Sequence, residues 1–336
     1  MADRLSKGGE ADRPAASVII LNHNGMRFLD SCLEAVAAQQ VPGGCEVLLV
    51  DNGSHDGSID HVRKAYGWVR ILVLGRNTGF SRANNLAMGK ARGRHVVLLN
   101  NDTRVREGWL AALVSAADAN PRAGAVTSKL VFADRPEVIQ NAGVLLLDDG
   151  GGGDRGAGEQ DRGQYDEPGP VFGFCGAAAL LRREMLDDVG CLDETFFAYY
   201  EDTDLSWRMR LRGWNVLYEP GAVVEHVHSA TSGERSVFFT FHADRNRLFM
   251  LFKNASPAFL VRSLRSVLSR VATPQGSKTS VDTRARHPHG RVAASFCLHL
   301  PEMLMKRLFI RARRKVSNKE VEGWLYPRAE WDARFV

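Results

Sequence analysis

The sequence lacks the features that would assign it to a membrane-spanning, disulfide-rich or zinc-binding class. Its five cysteines are scattered, and no two form a Cys-x-x-Cys pair, so neither a zinc site nor a disulfide framework is predicted. The cysteines are therefore expected to be reduced thiols, and the protein is expected to be cytoplasmic. No apolar run approaches the roughly 18 residues of a membrane span. The polar first segment has no apolar core of a signal peptide, and residues 1–14 are predicted to be a flexible tail.

Two common nucleotide-binding loops are also missing. No G-x-G-x-x-G follows the first predicted strand, which argues against a Rossmann dinucleotide site, and no G-x-x-x-x-G-K-[ST] loop occurs, which argues against a P-loop nucleotidase. What is present is an ordinary globular composition, with 44% hydrophobic and 25% charged residues. The 336 residues suffice for one large domain with an extension, or for two domains.

Short apolar runs alternate with helical patterns through the first hundred residues. The runs SVIIL at 17–21, CEVLLV at 45–50 and VVLL at 96–99 are typical of buried strands. This alternation predicts an α/β fold with a mostly parallel, doubly wound sheet. In such sheets ligands bind beyond the carboxyl ends of the strands. The residues that follow the strands are therefore the first candidates for a site.

Polar residues follow each predicted strand of this half. Together they predict a polar crevice of nucleotide size along one edge of the sheet. The candidate nucleotide-binding residues are Asn22, Asn24, Asp51, Asn52, Asn77, Gly79, Asn85 and Asn101.

Asp102 is the carboxylate at the end of the fourth predicted strand. A carboxylate there suits a hard divalent cation, which takes oxygen ligands and shares them with phosphates. The alternative is a purely structural role, in which Asn101-Asp102-Thr103 opens a turn or caps the next helix, because these residue types commonly do so.

A second acidic group lies near residue 200, where Glu201, Asp202 and Asp204 follow two tyrosines. One interpretation is a helix N-terminus, where acidic side chains favour the helix dipole and Asp202 is the cap. The other is a carboxylate in a partly desolvated pocket, whose raised pKa suits a general base. Asp204 and Arg208 stand at i,i+4 spacing and are expected to pair.

Three blocks resemble family 2 glycosyltransferases of the GT-A fold. The first is SVIILNHNG…EVLLVDNGSHDGS, the second NTGFSRANNLAMGKARGRHVVLLNNDT, and the third GFCGAAALLRREMLDDVGCLDETFFAYYEDTDLSWRMRLRGW. They follow one another in the family's order over about residues 17–253. The version here is closest to a branch that includes bacterial rhamnosyl- and galactofuranosyltransferases. The resemblance implies an inverting transferase that uses a nucleotide-diphosphate sugar, with rhamnose as the expected sugar.

The resemblance also implies roles for individual residues. Asp51 would contact the nucleotide base. Asp202 would deprotonate the acceptor hydroxyl, with Glu201 beside it holding the acceptor or the base. These are the expected catalytic residues.

A divalent metal, Mn²⁺ or Mg²⁺, is likewise implied by the resemblance. Asp102 keeps the carboxylate of the usual D-x-D motif, whereas Asn100 replaces the first one and would ligate more weakly. His226 matches the family's metal-binding histidine, and His228 is the second choice. Two histidines at i,i+2 on a strand face the same side, and imidazole is a reasonable ligand beside a carboxylate.

The C-terminal third has a different character. Its segments AFLVRSLRSVLSRV at 258–271 and KRLFIRARRK at 306–315 predict basic amphipathic helices. Such helices favour a peripheral position on the inner face of an anionic membrane. Packing against the catalytic domain is an alternative. A nucleic-acid partner is not expected, because no known binding motif is present.

The predicted organisation is a GT-A domain at 15–235 and a basic helical extension at 236–336. The domain divides into a nucleotide-binding half at 15–105 and an acceptor half at 106–235. Residues 148–169, rich in glycine and charge, are expected to form a mobile surface loop, either an acceptor-side lid or a plain insertion. Residues 274–289 are expected to be a flexible linker.

The predicted function is transfer of a sugar to a glycan or a lipid-linked glycan. A nucleotidyltransferase is an alternative, but it would need a basic glycine-rich loop after the first strand, and residues 22–25 carry no Lys or Arg. A non-catalytic glycan- or membrane-binding scaffold is the alternative outside enzymes, and Asn100 leaves it open.

Overall fold

The computed structural model describes residues 13–227, 236–272 and 289–335. At its centre lies a mixed sheet in the order β10-β12-β6-β11-β4-β1-β2-β3, with β5 paired to β12 and β7 paired to β6. The strands of this sheet are β1 (Ala16–Asn22), β2 (Cys45–Asp51), β3 (Arg70–Val73), β4 (His95–Asn100), β5 (Thr103–Val105), β6 (Ala123–Phe132), β7 (Ile139–Asn141), β10 (Gly169–Val171), β11 (Ala178–Arg182) and β12 (Asn215–His226). A second, small sheet joins β8 (Val144–Leu147), β9 (Gly152–Asp154) and β13 (Leu325–Tyr326).

Helices from the first two thirds of the chain cover both faces of the central sheet. The helices of the described residues are α1 (Met26–Ala37), α2 (Ser58–Ala65), α3 (Phe80–Met88), α4 (Trp109–Ala119), α5 (Arg183–Val189), α6 (Glu201–Leu211), α7 (Val237–Asn254), α8 (Pro257–Ala272), α9 (His289–Arg313), α10 (Asn318–Glu322) and α11 (Arg328–Asp332). One core forms where α1 and α4 pack on the sheet, and a second forms where α3, α5 and α6 pack on it. Apolar side chains are buried on both faces of β1 and β4, as expected for central strands of a doubly wound sheet.

The predicted parallel arrangement is confirmed for the first half. Strand β1 pairs in parallel with β2 and β4, and β2 pairs in parallel with β3. Strand β11 is antiparallel to both β4 and β6, so the sheet is mixed beyond β4. The carboxyl ends of β1, β2 and β4 consequently meet at one edge.

One sequence expectation about local structure was wrong. Residues 148–169 are not one long loop, because β9 lies within them and pairs with β8. The apolar run at 171–181 is divided between two strands, because the chain turns between β10 and β11. Strand β12 is continuous, and its pairing shifts between Glu219 and Val223 to absorb Pro220 and Gly221.

The C-terminal helices share a core with the acceptor half. Phe196 and Trp207 from the acceptor half pack in one buried cluster with Phe249, Phe259 and Met303 from α7, α8 and α9. Strand β13 adds a further contact, since it pairs with β8. The domain boundary at residue 235 stays a prediction, but hydrophobic packing crosses it. This arrangement matches the alternative expectation for the basic extension, in which its helices pack against the catalytic domain.

Three expectations fall outside the described residues. These are the flexible tail for its residues 1–12, the linker for its residues 274–288, and His228. Within the described parts of the chain, no helix is long and apolar enough to cross a membrane.

Candidate active site

The ends of β2 and β3 are joined by an amide network. Asn52 accepts hydrogen bonds at Oδ1 from the Thr78 amide and hydroxyl, at 2.8 and 3.1 Å. Its Nδ2 donates to Asn77 Oδ1 at 3.0 Å, and Asn77 also accepts from the Gly79 amide at 2.9 Å. The predicted residues Asn52, Asn77 and Gly79 therefore come together at this edge. The side-chain amides of Asn52 and Asn77 are both hydrogen-bonded within the protein.

The ends of β1 and β4 are joined in the same way. Asn101 donates from Nδ2 to Asn22 Oδ1 at 2.8 Å, and Asn22 donates to Ser58 Oγ at 2.9 Å. Asn22 is fully buried. Gly25 lies against this pair, and a Cβ there would come within 1.9 Å of Asn101 Nδ2. The predicted residues Asn22 and Asn101 thus join the ends of β1 and β4 at the edge where the nucleotide crevice is predicted.

Two further predicted residues lie at the β1 and β2 ends. Asn24 has a positive φ of 53° and accepts at Oδ1 from the His55 amide at 2.8 Å. Asp51 is buried, and its Oδ1 accepts from the Ser54 amide at 3.1 Å. Both residues fix the loop that follows β2.

The predicted nucleotide-binding residue Asn85 bonds to the segment before α6, and its role in nucleotide binding stays a prediction. Its Nδ2 donates to the Leu192 carbonyl at 2.8 Å, and its Oδ1 accepts from the Leu192 amide at 3.1 Å. Both ends of the amide are therefore used to join α3 to the segment before α6. The sequence could not show this partner, because it lies 107 residues away.

Asp102 and His226 meet although they are far apart in sequence. Strand β5 begins directly after Asp102, and Thr103 pairs with His226 in the register of β5 and β12. His226 Nε2 lies 3.2 Å from Asp102 Oδ1, and its Nδ1 lies 2.8 Å from Gln140 Oε1. An imidazole whose second nitrogen is held by a neighbour is the usual arrangement of a metal-ligating histidine.

The pair fits a hard divalent cation. A carboxylate oxygen and an imidazole nitrogen suit Mn²⁺, and Mg²⁺ binds through one or two carboxylates together with substrate phosphates. Asn100 ends β4 and is half-buried, with its backbone held by Thr103 and Ala177. Among the described residues, no three His, Cys, Asp or Glu side chains are grouped so that they could hold a metal ion.

One turn links this pair to the predicted base. The turn at 175–177 joins the end of β4 to the start of α6. The Asn100 amide donates to the Ala177 carbonyl at 2.8 Å, and the Gly176 amide donates to Asp202 Oδ2 at 3.0 Å. A Cβ on Gly176 would lie 3.4 Å from the ring of Phe80. Asn100, two residues before Asp102, and the predicted base Asp202 therefore bond to the same short segment.

Burial raises the pKa of both carboxyls of the acidic pair, Asp202 and Glu201. It raises the pKa of Asp202, although the Gly176 and Thr203 amides offset part of the effect. Burial and the neighbouring Asp202 charge raise the pKa of Glu201 well above its usual value. Glu201 Oε2 is buried, and no described residue forms a hydrogen bond with it. A raised carboxyl pKa is what a general base needs near neutral pH.

Asp202 is not the cap of α6. Tyr200 occupies the N-cap position, and Asp202 lies in the first turn, where Oδ1 accepts from the Thr203 amide at 2.6 Å. The expected pair of Asp204 and Arg208 is confirmed, with Nε 2.9 Å from Oδ2. Asp204 also binds Lys253 of α7 at 2.9 Å.

The sequence missed the loop that leads into α6. Phe197, Tyr199 and Tyr200 all have positive φ, at 42°, 72° and 68°. Each such non-glycine residue costs on the order of 1–3 kcal/mol. The Phe80 amide donates to the Phe197 carbonyl at 2.5 Å, so this loop also contacts the start of α3. A pattern of tyrosines and phenylalanines carries no local signal for these backbone angles.

The small sheet also reaches the site. The Gly152 amide donates to the Tyr200 hydroxyl at 3.1 Å, and Asn141 donates to Asp154 at 2.6 Å. The negative charges of Asp154 and Asp202 both add to the effect of burial, which raises the pKa of Cys175. The glycine-rich segment thus lies against the acceptor side of the site.

Comparison with known proteins identifies the class. The model of the family described as "Glycosyl transferase family 2" matches residues 17–190, more than half of the chain. The chain therefore belongs to this family of glycosyltransferases, and the predicted family is confirmed.

Two relatives are similar to this chain, and the first has the name of a glycosyltransferase. A Mycobacterium tuberculosis protein named "N-acetylglucosaminyl-diphospho-decaprenol L-rhamnosyltransferase" is 32% identical over 56% of this chain and 68% of its own length. An "Uncharacterized protein y4gI" of Sinorhizobium fredii is 30% identical over 66% of this chain, but the match spans only 25% of that protein.

Solved structures show the same fold. "GalNAc-T7 with UDP, GalNAc and Mn2+" matches with a TM-score of 0.62 at 16% identity, over 83% of this chain and 54% of that one. The "Mannosyltransferase PcManGT from Pyrobaculum calidifontis in complex with GDP-Man and Mn2+" matches at 0.51 and 18% identity, over 90% and 86%. The expected GT-A fold is confirmed.

Proposed function

We propose that this protein is an inverting, metal-dependent glycosyltransferase that moves a sugar from a nucleotide-diphosphate donor to a glycan or lipid-linked glycan. The observation that carries the proposal is the turn at 175–177. It bonds to Asn100 beside the Asp102–His226 pair on one side and to Asp202 on the other. A charge-stabilising pair and a base of raised pKa are the two parts that such a transfer requires.

The chain's own residues have separate tasks in this proposal. Asp202 takes the proton of the acceptor hydroxyl as that oxygen bonds to the anomeric carbon and the bond to the donor diphosphate breaks. Glu201 stays beside it in a buried position and holds the acceptor or the base. Asp102 and His226, with Asn100 nearby, would hold Mn²⁺ or Mg²⁺, which would supply positive charge to offset that of the leaving diphosphate. Asp51 contacts the base of the nucleotide.

Rhamnose and a polyprenyl-diphosphate glycan are the first donor sugar and acceptor to test. The name of the mycobacterial relative points to both. A further relative, "O-antigen biosynthesis protein RfbC" of Myxococcus xanthus, points to polysaccharide biosynthesis, at 28% identity over 65% of this chain.

The experiment is calorimetric titration of UDP, TDP and GDP, with and without Mn²⁺, followed by a transfer assay with the nucleotide that binds. Metal-dependent binding of one nucleotide and release of that nucleotide on addition of acceptor are expected. Binding without transfer, unchanged in Asp202→Asn, would favour the scaffold alternative. Absence of binding under both conditions would reject the enzyme proposal.

We also propose that α9 rests on the inner face of a membrane, where a lipid-linked acceptor would be reached. One face of α9 is apolar yet exposed, with Leu298 at 78%, Met305 at 66% and Phe309 at 58%. Glu302 is the single acidic residue among 289–315, whereas basic residues cluster at 311–315. Apolar side chains next to a cationic cluster complement an anionic lipid surface.

Vesicle sedimentation tests this surface. The full chain is expected to bind vesicles that contain anionic lipid and to bind zwitterionic vesicles weakly. Leu308→Glu with Phe309→Glu should abolish binding, whereas Leu86→Glu, an exposed leucine on α3, should leave it unchanged. Equal binding of all variants would reject the membrane face, and dimerisation that the α9 variant removes would assign the face to a second copy of the chain.

A further inference from the structure

The loop at 195–200 is strained and directly precedes the proposed base. Three of its residues, Phe197, Tyr199 and Tyr200, have positive φ, and Tyr200 is the N-cap of α6. A conformation of this kind persists only where surrounding contacts enforce it. The contacts that enforce this one come from outside the loop.

Asn246 of α7 holds three carbonyls of the loop. Its Nδ2 lies 2.9 Å from the carbonyl oxygen of Phe196, 2.8 Å from that of Ala198 and 2.8 Å from that of Tyr199. An amide nitrogen carries two hydrogens, so at least one hydrogen is shared. Asn246 is fully buried, so these bonds lie inside the protein.

Arg245 fixes the direction of that amide. Its Nε donates to Asn246 Oδ1 at 2.9 Å, which turns the amide nitrogen toward the loop. Its NH2 group donates to the Thr195 carbonyl at 3.0 Å. The Phe197 carbonyl accepts from Phe80, so every carbonyl from residue 195 to 199 has a donor in another element.

We propose that Asn246, oriented by Arg245, is the positioning residue that holds the 195–200 loop in the strained conformation that sets Glu201 and Asp202 in place. This inference rests on the proposed transferase function for its kinetic consequence. It places a requirement for catalysis on the C-terminal helices, outside the region matched by the family model. Asn246 acts through the loop and does not touch the reacting atoms.

The test compares two buried asparagines of α7 in the full-length protein. Asn246→Ala removes the contacts to the loop. Asn254→Ala is the matched control, because Asn254 is also buried and donates to Asp204 of α6 at 2.8 Å, but does not contact the loop. Asn246→Asp keeps the shape and removes the donors.

Asn246→Ala and Asn246→Asp should each lower kcat by 30-fold or more, with KM for the donor within threefold of wild type. Asn254→Ala should keep kcat within threefold at a similar loss of thermal stability. A kcat retained by Asn246→Ala, or lost equally in Asn254→Ala, would overturn the proposal.

Hydrogen–deuterium exchange supplies a readout that does not depend on activity. Amides at 196–204 should exchange at least tenfold faster in Asn246→Ala than in wild type or Asn254→Ala, and unchanged exchange would overturn the proposal.

An inactive wild type would reject the transferase function, while exchange would still decide whether Asn246 holds the loop. If Asn246→Ala does not fold, Arg245→Lys should still lower kcat three- to tenfold, and an unchanged kcat there would overturn the inference.

Discussion

Two regions of the proposed site are held in different ways: the edge at the ends of β1–β4, here called the donor edge because the donor is proposed to bind there, and the region around α6, called the acceptor side because the acceptor is proposed to bind there. At the donor edge, amides that follow neighbouring strands bond to each other, as Asn52 does with Asn77 and Thr78. On the acceptor side, the loop before α6 is held by α7 and α9. Lys253 and Lys306 bind Asp193 from 60 and 113 residues away, at 2.5 and 2.6 Å.

The difference shows which part of the site depends on the whole chain. The donor edge needs only the β–α units that contain it, because parallel strands bring their own ends together. The acceptor side combines backbone strain with buried charges, and both need partners from the C-terminal helices. Variants at the donor edge should therefore lose donor binding. Variants on the acceptor side should lose turnover or stability.

The largest effect is expected for Asp202→Asn. Loss of a general base lowers turnover by roughly 10²–10⁴-fold. Donor binding, measured by calorimetry, should stay unchanged, because Asp202 lies on the acceptor side. A loss of binding that parallels the loss of kcat would contradict the division into two sides.

Lys253→Met should cause the largest loss of stability. Lys253 is almost fully buried between Asp193 and Asp204. Burial raises the pKa of Asp193, but the positive charges of Lys253 and Lys306 lower it by more, so the net pKa is lowered. Breaking a buried ion pair costs about 3–5 kcal/mol. Lys306→Met is the matched control, since that side chain is 30% exposed, and it should cost less. Urea denaturation measures both, and equal losses would refute the burial argument.

Asp102→Asn should weaken Mn²⁺-dependent nucleotide binding by about 100-fold, and Gln140→Ala by about tenfold, because an outer partner orients the ligand that it bonds to. Calorimetric titration of Mn²⁺ with the nucleotide present measures both. Nucleotide affinity without metal should not change. If Gln140→Ala has no effect, the bond to His226 has no role in metal binding.

Asn52→Ala should weaken donor binding by about 1–2 kcal/mol, since the Thr78 amide loses its acceptor. The kcat at saturating donor should stay within a factor of about two, because the acceptor side is held separately. Steady-state kinetics over donor concentration separates the two quantities. A fall in kcat alone would show that the donor edge also positions the base.

The smallest expected effect is a shift in the pH dependence of kcat/KM. The base acts only when deprotonated, and burial raises the pKa of Asp202, so kcat/KM should start to fall at a higher pH than an ordinary aspartate would give. A profile of kcat/KM against pH measures this acid limb. An acid limb at or below the usual aspartate value would contradict the assignment of Asp202.

Much of the donor side was predictable from sequence. The runs that became β1, β2 and β4 are apolar and end in polar residues, so their positions and the edge they share follow from hydrophobic periodicity. The bond between Asn85 and Leu192 could not be predicted, because a helix position does not show which neighbour its amide meets. The shape of 148–169 was also missed, because glycine-rich composition does not reveal a strand whose partner is β8.

The sequence by itself determined the α/β class, the strands of the first half and the carboxylates that flank the site, because apolar spacing and polar strand ends are local properties. Only the tertiary structure decided the rest. It brought His226 to Asp102 through the register of β5 and β12, and it placed Asn246 against a strained loop 50 residues earlier. Strand register and backbone strain arise from contacts between distant segments, and no local pattern encodes them.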